Sequence, residues 1–157
     1  MFKSSKEIVA IGSPVKGLTV GLKKITDPVF SGKIIGDGVA VLPESGIICA
    51  PCGGVITQIF HTNHAFYVLN GAGLEVMVHI GLDTVELKGV GFKRLVNLND
   101  NVEMGQPVME VNLEYIKAQG KETVIPVLIT NMEKVSKISV VNGNVNTSDK
   151  IMSVVLK

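Results

Sequence analysis

The stretch of sequence that decides the fold is His61-Thr62-Asn63-His64-Ala65-Phe66-Tyr67-Val68-Leu69-Asn70-Gly71-Ala72-Gly73-Leu74-Glu75-Val76-Met77-Val78-His79-Ile80-Gly81. Two runs rich in β-branched and aromatic residues flank a glycine-containing turn, which is typical of a β-hairpin. A two-residue loop at Gly71-Ala72 pairs Asn70 with Gly73, and that register places His64 opposite His79. Directly opposed residues have Cβ atoms about 4.5–5.5 Å apart, so we expect the two imidazoles to be in contact.

The same register assigns the side chains of the hairpin to two faces. The predicted core face consists of Ala65, Tyr67, Leu69, Leu74, Val76, Val78 and Ile80. The opposite face consists of His64, Phe66, Val68, Glu75, Met77 and His79. An apolar rim around an exposed polar pair is typical of a docking site for another protein.

Two facing histidines have more than one chemical use. A zinc site normally needs three or four protein ligands, and His61 falls on the other side of the strand, so a complete metal site is the less favoured interpretation. A neutral imidazole can instead act as a nucleophile, while the second histidine donates a hydrogen bond to a phosphoryl oxygen. Residues 60–87 contain no lysine or arginine. This absence indicates a phosphoryl relay whose partners supply positive charge, rather than a kinase.

The composition excludes several classes of protein. Charged residues make up 18% of the 157 residues, hydrophobic residues make up 46%, and the formal net charge is +1. An average soluble domain has roughly 25% charged residues, so this chain is expected to fold rather than remain disordered. Near-neutral charge without a basic run argues against nucleic-acid binding. No apolar stretch approaches the ~20 residues that span a bilayer, and no signal-peptide core follows the N-terminus, so we expect a cytoplasmic protein.

The rest of the chain consists of short strands separated by glycine turns. Four of these runs are 19–22, 38–42, 55–60 and 106–111, and they predict an all-β fold, an antiparallel β-sandwich or barrel. Residues 113–119, followed by Gly120, predict one short helix with a glycine C-cap. Residues 13–18 are echoed by 50–55, and 102–111 by 145–154, which indicates a duplicated strand–turn motif.

Three blocks of sequence resemble a known family. They are Asp27–Gly38 (DPVFSGKIIGDG), Thr62–Phe66 (TNHAF) and Val78–Leu87 (VHIGLDTVEL), followed by Gly89, Gly91 and Phe92. In this order they resemble the glucose-class enzyme IIA of the bacterial phosphoenolpyruvate-dependent sugar phosphotransferase system. The resemblance covers residues 10–157, which we expect to form one domain after an N-terminal extension, residues 1–9.

This resemblance implies a β-sandwich of the duplicated hybrid type and a role for each site residue. His79 would take a phosphoryl group on Nε2 from the histidine-containing phosphocarrier protein and pass it to a cysteine on the IIB domain of a sugar permease. His64 would hydrogen-bond to that group, and Thr62 would orient His64. Asp27 and Asp83 would receive an arginine of the donor. The apolar docking ring would consist of Val29, Phe30, Ile35, Phe60, Phe66 and Met77.

The remaining expectations concern cofactors and alternatives. No cofactor and no metal site within this chain are expected. Cys49 and Cys52 form a C-x-x-C pair, but no helix follows it, so both cysteines are interpreted as packing residues. A free-standing subunit is expected, and a domain of a larger permease is the alternative. An alternative function is a regulatory binding module that uses the same apolar patch, with a metal site at His64 and His79 completed by a partner.

Overall fold

The computed structural model describes residues 6–157 as an antiparallel β-sandwich with two short α-helices. The strands are β1 (Ile8–Gly12), β2 (Gly17–Val20), β3 (Asp37–Pro43), β4 (Ile47–Cys49), β5 (Gly54–Ile59), β6 (Ala65–Leu69), β7 (Glu75–His79), β8 (Phe92–Arg94), β9 (Asn101–Val102), β10 (Pro107–Val111), β11 (Ile125–Ile129), β12 (Val135–Val140), β13 (Asn144–Val145) and β14 (Lys150–Leu156). They form an eight-stranded sheet in the order β13-β2-β3-β11-β7-β6-β5-β9 and two three-stranded sheets, β1-β14-β12 and β4-β10-β8. The all-β prediction is confirmed.

The start of the chain differs in detail from the predicted extension. Residues 1–5 of that extension lie outside the described residues. Ile8 and Val9 already belong to β1, where they pair with Val155 and Val154 of β14. Across residues 6–157, no helix has the length and apolar composition needed to cross a membrane.

The two sequence echoes correspond to structurally equivalent segments. The first pair exchanges reciprocal backbone hydrogen bonds, from Gly12 N–H to the Pro51 carbonyl (2.8 Å) and from Cys49 N–H to the Pro14 carbonyl (2.7 Å). Each segment continues into a strand, β2 or β5, that pairs with one of the two-residue strands β13 and β9. The two segments are therefore related by local pseudo-two-fold symmetry, as expected for a duplicated motif.

The second echo contains two turns of the same construction. In the β9–β10 turn, Gln106 N–H donates to the Glu103 carbonyl, and in the β13–β14 turn, Asp149 N–H donates to the Asn146 carbonyl. In both turns the side chain of the fourth residue accepts from the backbone N–H of the first. The third residue has positive φ in both, 86° at Gly105 and 73° at Ser148. The duplication therefore extends to side-chain capping.

Both helices begin at a side-chain cap. Helix α1 (Pro28–Ser31) starts after Asp27, whose carboxylate accepts from Val29 N–H at 2.9 Å. Helix α2 (Leu113–Ala118) starts after Asn112, whose side chain accepts from Tyr115 N–H at 3.0 Å. Helix α2 confirms the predicted helix, and Gly120 after it has the positive φ, 76°, of a helix C-terminal glycine.

The eight-stranded sheet is covered on both faces, and this positions the site. One face contributes Val76 and Val78 to the main core, which fills the sandwich. The other face contributes Met77 and Leu128 to a second, smaller apolar cluster, together with Phe30 from α1. The segment between β2 and β3, which contains α1, folds over this second face, and His79 lies at its edge.

The register of the β6–β7 hairpin differs by one residue from the prediction. Phe66 pairs with Val78, and His79 pairs with Ala65 rather than with His64. Gly73 has φ of 90° and its N–H donates to the Asn70 carbonyl, so the loop has three residues, 71–73, instead of two. The predicted faces of β7 are correct for Val76, Val78, Met77 and His79. Those of β6 are wrong, because Phe66 and Val68 point into the main core.

Candidate active site

The predicted histidine pair forms although the predicted register was wrong. The ring centroids of His64 and His79 are 5.0 Å apart, with the rings nearly perpendicular. His64 precedes the first residue of β6, and Asn63 before it has a positive φ of 60°. The side chain of His64 therefore does not follow the alternation of the strand, and this irregularity brings it to His79.

His79 has one ring nitrogen fixed by the backbone. Its Nδ1 lies 2.7 Å from the carbonyl oxygen of Gly81, and a carbonyl oxygen can only accept, so Nδ1 carries the proton. The neutral ring then has its lone pair on Nε2. Burial lowers the pKa of His79, while the Gly81 hydrogen bond and the charge of Asp27 partly offset that effect. At neutral pH His79 is thus a neutral imidazole with Nε2 available as a nucleophile.

His64 is held beside it in a more buried position. Its side chain is 4% exposed, and its Nδ1 lies within hydrogen-bond distance of the Thr62 hydroxyl group. Burial, and secondly the neighbouring His79, lower the pKa of His64 to about 4. His64 is therefore neutral at physiological pH, and its other ring nitrogen is left to contact a ligand of His79.

Aromatic rings pack against both histidines. Phe30 lies 4.9 Å from His79 and Phe60 lies 5.2 Å from His64, measured between ring centroids. These contacts fix the imidazole planes and exclude water from one side of each ring. They also account for the desolvation that lowers both pKa values.

The six residues predicted for the docking ring have different exposures. Val29 is 37% exposed, and Ile35 and Phe60 are partly exposed, so all three present apolar surface near the histidines. Phe30 and Met77 are only 3% and 2% exposed, so, contrary to the prediction, they belong to the buried apolar cluster beside the histidines and not to an exposed docking ring. The prediction that Phe66 belongs to the docking ring is wrong, because its side chain is fully buried in the main core.

The acidic side of the site is a cleft of ≈ 330 Å³. It is lined by Thr26, Asp27, Pro28, Leu82, Asp83 and Glu122. Asp27 and Asp83, which are distant in sequence, thus lie on one cleft, and Glu122 is a third acid that the sequence reasoning missed. Glu122 precedes β11, and nothing in the sequence around it singled it out.

Two further features were missed by the sequence reasoning, and only the first of them joins segments that are distant in sequence. The guanidinium group of Arg94, on β8, donates from Nε and Nη2 to the side-chain oxygen of Asn63 at 3.1 and 2.8 Å. A cation therefore does reach the loop of His64, although residues 60–87 contain none. Ile34, next to the predicted Ile35, is 73% exposed and adds apolar surface to the end of the α1 segment.

The two cysteines do not take part in the histidine site. Cys49 and Cys52 are both buried and free, and burial raises both pKa values, that of Cys52 to about 12. Both are therefore thiols at neutral pH, as expected of packing residues. In the described part of the chain, no three His, Cys, Asp or Glu side chains come close enough together to hold a metal ion.

A neutral imidazole with a free ring nitrogen, beside a second neutral histidine, is an arrangement that can accept and pass on a phosphoryl group. The chain matches the family model for the phosphoenolpyruvate-dependent sugar phosphotransferase system, EIIA 1, over residues 9–135. The chain belongs to this family. The resemblance deduced from the three sequence blocks is thereby confirmed.

Individual relatives agree with the family match. The chain is 42% identical over 142 residues to the glucose-specific EIIA component of Buchnera aphidicola subsp. Baizongia pistaciae, covering 90% of this chain and 84% of that protein. It is 40% identical to the glucose-specific and 41% identical to the glucoside-specific EIICBA components of Staphylococcus carnosus, covering 97% and 94% of this chain. Of those two proteins the chain spans only 23% and 22% of the length.

A solved structure shows the same fold. Glucose permease IIA from Mycoplasma capricolum superposes with a TM-score of 0.87 at 30% sequence identity, covering 94% of this chain and 96% of that one. The chain therefore matches EIIA components of the sugar phosphotransferase system in both sequence and fold. The comparisons give no support to the alternative of a regulatory module with a partner-completed metal site.

Proposed function

We propose that His79 is the residue that carries the phosphoryl group. The observation that carries this proposal is the hydrogen bond from His79 Nδ1 to the Gly81 carbonyl, which leaves the lone pair on Nε2. Nε2 attacks the phosphorus atom of a donor phosphohistidine, an Nε2–P bond forms, and the donor's N–P bond breaks. In the next transfer the Nε2–P bond breaks as a cysteine thiolate of the acceptor attacks.

His64 supports the transferred group without carrying it. We assign the Thr62 hydroxyl group as the donor to Nδ1 of His64, which leaves the ring proton on the other nitrogen to donate to a phosphoryl oxygen. Because its pKa is about 4, His64 makes this contact as a neutral donor. A neutral donor stabilises the phosphoryl oxygens less strongly than a cation does, which suits a group that must leave again.

The proposed donor is the histidine-containing phosphocarrier protein, and the proposed acceptor is the IIB domain of a glucose-type sugar permease in the cytoplasm. Asp27 and Asp83 on the acidic cleft supply the negative charge that an arginine of the donor would pair with. Val29, Ile35 and Phe60 supply the apolar contact around the histidines. The domain assigned to this function is residues 10–157.

Labelling with radioactive phosphoenolpyruvate, enzyme I and the phosphocarrier protein tests the assignment of His79. We expect one acid-labile phosphate in the wild type and in His64→Gln, because the glutamine amide can still donate a hydrogen bond. We expect none in His79→Gln. His61→Gln, which changes an exposed histidine, is the matched control and should take up label as the wild type does. Label on a folded His79→Gln protein would show that the wrong residue has been assigned.

Release of the label tests the acceptor. Addition of a glucose-type IIB domain with its sugar should remove the phosphate from His79, and a IIB domain of another sugar class should remove it more slowly. Equal release by both would contradict the glucose assignment without affecting that of His79.

A further inference from the structure

The loop that follows His79 holds the carbonyl group on which the tautomer of that histidine depends. The Gly81 carbonyl accepts from His79 Nδ1, and in the same peptide plane Leu82 N–H donates to the Glu122 carbonyl at 3.1 Å. Gly81 has φ of 80°, a left-handed backbone conformation, and it links the Gly81–Leu82 peptide plane to the preceding Ile80–Gly81 plane. Two restraints therefore set the direction of the Gly81 carbonyl: the Leu82–Glu122 hydrogen bond in its own plane and the hydrogen bonds that hold the preceding plane.

Thr84 holds one end of that preceding plane. Its hydroxyl group donates to the Ile80 carbonyl at 2.6 Å, and at the other end Gly81 N–H donates to the Val124 carbonyl at 3.0 Å. Thr84 is fully buried. Among residues 6–157, the hydroxyl group of Thr84 is the one hydrogen-bond donor to the Ile80 oxygen.

The methyl group of Thr84 packs against the same glycine. A Cβ atom built on Gly81 would lie 2.5 Å from Thr84 Cγ2 and 2.8 Å from the Glu122 carbonyl oxygen. The hydroxyl group and the methyl group of one buried side chain thus both restrain the segment between His79 and Thr84. The hydroxyl group also satisfies the carbonyl group of Ile80, a fully buried residue.

We propose that Thr84 is a positioning residue for phosphoryl transfer, acting through the Ile80–Gly81 peptide to aim the Gly81 carbonyl at His79 Nδ1. This proposal rests on the proposed function, in which His79 Nε2 is the nucleophile. Without the hydroxyl group, the Ile80–Gly81 plane is hydrogen-bonded at one end only. The Gly81 carbonyl then turns away part of the time, and the ring populates the tautomer that carries its proton on Nε2 and cannot attack phosphorus.

The tautomer of His79 in Thr84→Val tests the proposal directly. Valine keeps the shape of threonine and removes the hydroxyl group. We expect the ¹⁵N chemical shifts of the ring to show a new Nε2–H population, and the pKa of His79 to fall, because the Gly81 hydrogen bond raises it. Phosphoryl uptake from the phosphocarrier protein should slow roughly 10- to 100-fold, as expected for a misplaced nucleophile. A folded Thr84→Val with the wild-type tautomer would overturn the proposal, whatever its transfer rate.

Two variants separate positioning from a general loss of stability. Thr84→Ser restores the hydroxyl group and should restore the tautomer; a serine variant that behaves like valine would overturn the proposal. Ser13→Ala removes another fully buried hydroxyl group, which donates to the Val15 carbonyl at 2.6 Å far from the site, and should leave the ring of His79 unchanged. The same tautomer change in Ser13→Ala would also overturn it.

The comparison remains available if Thr84→Val does not fold, because Thr84→Ala and Thr84→Ser differ by one hydroxyl group. A shifted tautomer in alanine but not in serine supports positioning, and equal tautomers overturn it. The tautomer is measured without any partner protein. Failure of this proposal is therefore distinguishable from failure of the His79 assignment, which the labelling of His79→Gln reports.

Discussion

Acidification should destabilise this protein through His64, and the size of the effect follows from its burial. His64 has a pKa of about 4 in the folded protein against 6.5 as a free side chain. Below pH 6.5 the unfolded chain therefore binds a proton that the folded protein does not, and stability falls as the pH falls. The contribution of His64 is fully present above about pH 6.5 and is lost progressively towards pH 4.

The expected magnitude is large enough to measure. One pKa unit corresponds to about 1.4 kcal/mol, so the shift of His64 costs roughly 3 kcal/mol of unfolding free energy once the pH is below 4, and about 2 kcal/mol at pH 5. His79 adds a loss of the same sign, because burial also lowers its pKa. Other titrating groups contribute as well, so the His64 share must be obtained by difference from a variant.

Urea denaturation of the wild type and of His64→Gln, each at about pH 7 and about pH 5, gives that difference. We expect the wild type to lose about 2 kcal/mol more than the variant between the two pH values. His61→Gln, a change at an exposed histidine, serves as the control and should follow the wild type. Equal losses in the wild type and in His64→Gln, or an NMR titration of His64 near pH 6.5, would refute the reasoning from burial.

Three further predictions test the loops and the acidic cleft. Gly81→Ala should lower the unfolding free energy by about 2 kcal/mol or more in urea denaturation, because an alanine there has φ of 80° and two close contacts. The control Gly71→Ala, with open space around the added methyl group, should be nearly neutral. Arg94→Gln should lower the unfolding free energy by about 1 kcal/mol and speed amide hydrogen exchange at Asn63. Arg94→Lys should restore little of either, since lysine lacks the planar guanidinium group, and wild-type exchange rates in both variants would contradict this. Asp27→Asn keeps the cap of α1 but should raise the KM for the phosphorylated donor and weaken its salt dependence; an unchanged KM would remove Asp27 from the interface.

Local signals in the sequence were sufficient to predict β2, β3, β5, β10, the two hairpin strands, helix α2 and the duplicated motif, whereas the short helix α1 was not predicted. Helix α2 was predicted from residues 113–119 and the glycine that follows them, and the structure added the N-terminal cap at Asn112. The duplicated turns follow from residues that cap their own backbone. The structure added that the two copies exchange hydrogen bonds with each other, which no single segment shows.

The hairpin register could not be deduced, for two physical reasons. The turn contains glycine at both 71 and 73, so either position could adopt positive φ, and the choice is made by Asn70, whose side chain accepts from Ala72 N–H and Leu74 N–H at 3.0 Å each. In addition, the sheet is buried on both faces around the site. A strand covered on both sides is apolar at consecutive positions, so alternation no longer tells which set faces the main core.

In the proposed function, the charges around the histidines favour release of the phosphoryl group after its acceptance. Both imidazoles are neutral near pH 7, because burial lowers both pKa values. Asp27 and Asp83 on the neighbouring cleft disfavour a phosphoryl group, which carries negative charge. Arg94, a cation that contacts the loop of His64, donates its hydrogen bonds to Asn63. A fixed cation in contact with the phosphoryl group would stabilise the phosphorylated form and slow the second transfer. If the acids pair with a cation of the partner, as proposed, the site gains affinity for the phosphoryl group only while that partner is bound. The proposed function thus predicts that transfer depends on docking.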